Sequence, residues 1–224
     1  KEAEYTDAAT DTIDDEDVNS YWAILTQNFS DAWSMTLVAS YMDDQTDADM
    51  SGFFGLVSAT GAAGGVDLTG TFVYQEGDIT GSDDDSMGGY IQASMNFGAA
   101  SLALNTGFTK DGFIADDDFG FIMIGGASAI TPAVTENVGL YGDTYWVGAI
   151  AGYQVSEDLS LKGILAYADI DDAASAFEIS GAMNYKLTAG SSVDWVVGYL
   201  SIDPDGSDDA EDPFGTAVTF NVSF

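Results

Sequence analysis

The chain has 224 residues, with 38 Asp and Glu set against 4 Lys and no Arg, so its formal charge is −34. Such a field repels phosphate backbones and excludes nucleic acid as a partner. The absence of both His and Cys removes His-assisted hydrolysis, thiolate chemistry, disulfides and the commonest metal ligands, so no enzyme is expected.

Residues Lys1–Asp17 hold 8 acidic side chains without alternation and read as an acidic outer loop or a truncated segment. The start at Lys1 rather than Met fits a processed or truncated product. From residue 18 onward, eleven segments of about ten residues alternate apolar and polar side chains, as strands with two unlike faces do. Ser20–Phe29, Trp33–Met42 and Gly52–Thr60 alternate less cleanly. Val66–Gln75 is the clearest: Val66, Leu68, Gly70, Phe72 and Tyr74 share one face, Asp67, Thr69, Thr71, Val73 and Gln75 the other. Met87–Phe97 and Ser101–Thr109 follow. After the connection Lys110–Asp143 come Thr144–Gln154, Leu159–Ala168, Phe177–Leu187, Ser192–Leu200 and Phe214–Phe224.

Ten residues tilted by roughly 40° rise about 25 Å, the height of the apolar band of a membrane barrel. No apolar run approaches the length of a membrane-spanning helix. The polar faces carry Ser, Thr, Asn, Gln and Gly rather than Lys and Glu. Their charges are Asp67, Lys162, Glu178, Lys186 and Asp194, which become the candidate lumen-lining residues. Short connections alternate with long acidic ones, and the long ones together with Lys1–Asp17 contain 32 of the 38 acids. The expected fold is all-β: an antiparallel transmembrane β-barrel of about eleven or twelve strands spanning residues 18–224. One mouth would carry a field of carboxylates, which are either simply solvated or concentrate cations. An even strand number is usual in such barrels, so either one strand is uncounted or a further segment completes the wall. Aromatic residues near the strand ends read as interfacial girdles.

The last strand ends Thr219-Phe220-Asn221-Val222-Ser223-Phe224, with Phe220, Val222 and Phe224 on one face. A terminal Phe preceded by alternating apolar residues resembles the assembly signal of Gram-negative outer-membrane barrels, and the strand pattern resembles their porins. That resemblance implies passive diffusion of ions and small hydrophilic solutes through a lipid-embedded barrel, in a homotrimer or with a missing N-terminal barrel segment. It also implies that one long loop folds into the lumen as a constriction. The candidate is Lys110–Asp143, whose middle, Phe119-Gly120-Phe121-Ile122-Met123-Ile124, is apolar, with Asp116, Asp117 and Asp118 beside it. An extra hairpin or a subunit latch is the alternative. The lack of Arg departs from porins that line their eyelet with an Arg row. The acidic loops imply a preference for cations.

Lys162 with Glu178, and Lys186 with Asp194, lie on neighbouring segments and are expected to pair or to set a transverse field. Asp203, Asp205, Asp208 and Asp209 faintly resemble a calcium loop but lack its full spacing. No cofactor is expected beyond loosely bound divalent cations. A non-conducting barrel scaffold, or an acidic surface or adhesive β-protein, is the alternative of a different class.

Overall fold

Each alternating segment becomes a strand in the computed structural model, which describes residues 18–44, 50–77, 85–115, 119–126, 128–132, 135, 137–206 and 211–223. In chain order the strands are β1 (Val18–Ser30), β2 (Trp33–Asp44), β3 (Met50–Ala63), β4 (Val66–Gly77), β5 (Ser86–Phe97), β6 (Ala100–Lys110), β7 (Thr144–Gln154), β8 (Leu159–Ile170), β9 (Ala174–Thr188), β10 (Ser191–Pro204) and β11 (Phe214–Val222). They form one sheet in sequence order, and every neighbouring pair is antiparallel. Lys1–Asp17, Asp116, Asp117, Asp118, Asp208, Asp209 and Phe224 lie outside the described residues.

Turn chemistry explains the meander. Asp31-Ala32, Gly64-Gly65, Gly98-Ala99 and Ala189-Gly190 are two-residue links at one end of the sheet. Gly64 and Gly65 have φ of 61° and 84°, the mirror-image turn whose twist matches that of paired strands and which side chains resist. At the opposite end β8 and β9 run further than their alternation suggests, so the acidic link between them shrinks to Asp171–Ala173.

The two faces differ in chemistry. Phe72, Ile91, Leu104, Val147, Leu165 and Ile179 are exposed on the outer face. Thr36, Ser58, Thr71, Gln92, Asn105 and Ser180 sit on the inner face. On β11, Phe220 and Val222 project outward, with Phe220 71% exposed. Towards the long-loop end the outer face carries registered aromatic partners: Tyr21 with Tyr41 and Phe53, Phe108 with Tyr145, Tyr167 with Phe177, and Tyr199 with Phe214. A second set, Trp33, Phe97, Tyr153, Tyr185 and Phe220, lies towards the tight turns. On β7 the belts are the eight residues from Tyr145 to Tyr153 apart, about 20 Å along the barrel axis at usual rise and tilt.

Among the described residues β1 bonds only to β2, and β11 only to β10. An antiparallel meander of eleven strands starts and ends in the same direction. Joining β1 to β11 would make a parallel pair, so antiparallel closure takes an odd number of further strands.

Candidate functional site

The inner wall is built to receive the long loop. Residues 119–126 lie flat against it, and Phe119, Phe121, Ile122, Met123 and Ile124 bury themselves on Trp146, Ile164, Ala166, Ala168, Ala176 and Leu200. Four large loop side chains also each meet a wall glycine. A Cβ on Gly148 would fall on the Phe121 ring, and one on Gly215 would meet Ile130. Gly198 receives Met123 in the same way, and Gly88 receives Phe113 near the stem of the loop. Gly107 lies under Trp146, which lets that indole drop to the wall and support Phe119 at 4.4 Å.

One carboxyl group fixes the loop. Glu178 on β9 is fully buried, and it accepts hydrogen bonds from the backbone N–H groups of Ile122 (3.0 Å), Met123 (3.0 Å) and Ile124 (2.9 Å). Three successive amides aimed at one acceptor form a concave anion site, so the loop adopts its bend around this side chain. Other side chains satisfy the loop carbonyls. Asn105 donates to Phe119 O at 2.8 Å, Thr131 to Ile122 O at 2.7 Å, and Thr135 to Met123 O at 2.5 Å. Phe119 has φ of 49°, a left-handed conformation that costs a bulky residue about 1–3 kcal/mol. It is held there by its contacts with Tyr90 and Trp146. At the loop's neck Lys110 approaches Asp143 at 3.7 Å, and Asp143 also accepts the N–H of Asp111 at 2.7 Å.

The charges singled out from sequence all lie on the inner face, but they do not pair as expected. Lys162 is registered with Gly152 and Ala182, and Glu178 with Ala166, so the two are four positions apart along the β8–β9 ladder. Lys186 faces Ser192 rather than Asp194: the two-residue turn pairs Thr188 with Ser191, and a register shift beside Ser191 then sets Lys186 against Ser192 and Asp194 against Asn184. Asp194 is instead held by the side-chain amides of Asn184 and Asn221, on the strands either side. Asp67, near the Gly64-Gly65 turn, is registered with Ala62 and Ser94. Among the described residues neither Lys162 nor Lys186 is ion-paired. Phe119 and Phe121 turn into the wall rather than towards open space. Asp203, next to the end of β10, lies opposite Ser175, and the Asp205 N–H bonds to Ala173 O; among the described residues no cluster of acids has metal-binding geometry.

Residues that sequence reasoning missed are the wall glycines, Asn105, Trp146, Thr131 and Thr135. The glycines had a signal. They occupy inward positions of their strands, and a glycine inside a strand marks a place where other chain comes close. Beyond the loop, the inner faces of β1–β4 carry linked hydroxyls: Thr26 with Thr36 (3.3 Å), Ser34 with Thr60 (2.9 Å) and Ser58 with Thr71 (3.1 Å). At the long-loop rim, the Tyr199 hydroxyl and the Ile202 N–H both bond Asp212 and hold its carboxyl below the ordinary carboxylate range.

No family model and no curated protein matches the chain. Among solved structures it is similar to a porin, with a TM-score of 0.56 and 16% identity over 98% of this chain and 65% of that one. It is also similar to an anion-selective porin from Comamonas acidovorans, with a TM-score of 0.58 and 17% identity over 93% of this chain and 59% of that one. The chain thus spans less than two thirds of either porin. At these identities the likeness is one of fold, and the meander is the wall of a porin-type antiparallel β-barrel.

Glu178→Ala should strand three buried amides at about 1–3 kcal/mol each, and so release the loop. Faster proteolysis within residues 110–143 of the micelle-embedded protein would report it, and Glu178→Gln, keeping one acceptor oxygen, should be intermediate. An unchanged cleavage rate for the alanine variant would show that the carboxyl group does not hold the loop. Gly148→Val, which pushes Phe121 off the wall, should loosen the same segment in the same assay while the strands stay folded by circular dichroism.

Proposed function

We propose that the chain forms most of the wall of a porin in a bacterial outer membrane, through which ions and small hydrophilic solutes diffuse passively. The observation that carries this reading is the loop docked on the inner face by Glu178. A barrel whose outside is apolar between two aromatic belts, and whose inside is hydroxylated, has lipid and water as its two solvents. A loop bound along the inside narrows the watery part without crossing it. Further antiparallel strands, from this polypeptide or a partner, would complete the cylinder.

Selectivity is expected to favour cations. One fold relative is an anion-selective porin, so the fold alone does not set the sign. The sign follows from the charge: 38 acids against 4 lysines, with 32 of the acids in Lys1–Asp17 and the long connections. A mouth with such loops accumulates counter-ions within a Debye length, about 10 Å at 0.1 M salt and 3 Å at 1 M. Loosely held divalent cations would screen the same loops.

Reversal potentials in planar bilayers should therefore show cation preference in 0.1 M KCl that weakens markedly at 1 M. The preference should also fall as pH drops through about 4, where ordinary carboxylates protonate, with Asp212 among the last to lose charge. Anion preference at low salt and neutral pH would overturn the assignment of sign; a protein that inserts but never conducts would point to a scaffold. On the outer face, Leu165→Arg should cost about 2–4 kcal/mol in refolding titrations from urea into lipid vesicles. A cost near zero would mean that lipid does not face Leu165.

A further inference from the structure

A cavity of about 460 Å³ opens on the inner face between β3–β7 and the stem of the docked loop. Its shape is set by Phe54, Thr71, Gln75, Tyr90, Phe113 and Trp146. Among the described residues none of the lining side chains is charged, so the cavity offers a passing ion no opposite charge. Its size lies within the usual range for small-molecule sites, which are mostly apolar with a few placed polar groups.

The rings are held in place rather than free to collapse. Phe113 rests on Gly88, where any Cβ would strike it, and Tyr90 meets Phe119 edge-on at 5.4 Å. The polar groups are neutral and partly unspent. Gln75 accepts the Ser86 hydroxyl at 3.0 Å through its oxygen, which leaves its amide nitrogen without a partner among the described residues. Trp146 lines the cavity with its buried ring.

A hydroxylated track leads to the cavity. Thr26, Thr36, Ser58, Thr71 and Tyr90 occupy successive registered positions across β1–β5. Hydroxyls in this row can exchange hydrogen bonds with a solute that carries hydroxyls of its own, while the aromatic planes accept an apolar ring face. A saccharide ring has both features, C–H bonds on its faces and hydroxyls around its edge. We propose that the cavity is a subsite for the rings of uncharged saccharides, entered along the hydroxyl row. The proposal rests on the channel reading above and adds a solute class to it.

The test is sugar block of the KCl current of the full-length protein in planar bilayers, with maltotriose as the probe and a polyethylene glycol of equal hydrodynamic radius as the control. Block is taken as a fraction of each variant's own open current. Maltotriose should block at concentrations where the polyether does not. Phe113→Leu and Thr71→Val should each raise the half-blocking concentration, by about fivefold for the lost aromatic contact. Thr71→Val is close to isosteric and touches neither the loop nor Glu178, so it keeps the test valid if Phe113→Leu disturbs the loop. Equal block by sugar and polyether, or an unchanged half-blocking concentration in both variants, overturns the subsite while leaving the channel intact. Absence of any KCl current overturns the channel, and the subsite with it.

Discussion

The inside of this barrel depends on a single buried carboxyl group. Backbone amides in an irregular segment need acceptors as much as those in a strand do, and a segment lying on a sheet cannot find them in the ladder, whose own bonds are complete. Glu178 supplies an acceptor for three consecutive residues. With those amides satisfied, the apolar side chains of residues 119–124 are free to spread over the wall and form the barrel's only dry core among the described residues. Polar anchor and apolar burial are therefore coupled: without the first, the second would leave amides unpaired; without the second, a charged group would sit in the wall unshielded.

A second constraint is that the sheet has two solvents. In water-soluble sandwiches the apolar faces meet each other; here the apolar face has aromatic belts at both borders and no protein element over it among the described residues. The inner face handles polarity without charge for much of its area. Its hydroxyls bond to one another across strands, and its few charges are spread out rather than paired. The electrostatic character of the molecule lives in its connections, and its hydrogen-bonding character in its strands.

Much of this architecture was legible in sequence because period-two alternation is a direct image of a two-faced strand. Strand count, facing of Val66–Gln75 and of the last strand, and the clustering of acids in alternate connections all follow from it. β1 was less clear for a physical reason: register puts Trp22 and Ile24 on the inner face opposite Ser40 and Val38, so both of its faces are apolar. Charge pairing was misjudged because symmetry about a turn is not register. The turn is centred between Ala189 and Gly190, so Lys186 and Asp194, equidistant from Gly190, are not partners; Lys186 faces Ser192, and Asp194 is left to two asparagines. Glu178 was visible as an inward charge, but its partners are backbone amides from residues more than fifty positions earlier, and no spacing rule encodes them. The glycine sockets are the intermediate case, marked in the sequence only as residues with nothing to contribute.

Those sockets also set an order of events. The loop between β6 and β7 rests on Gly88 of β5 at one side and on Gly215 of β11 at the other, with Gly148 and Gly198 between. The loop therefore lacks its full seat until β11 has joined the sheet. Long-range contacts of this kind form late, because chain entropy must be spent before they return any energy. The internal shape of the barrel would be completed only late, by the same strand that carries Phe220 and Val222 on its outer side.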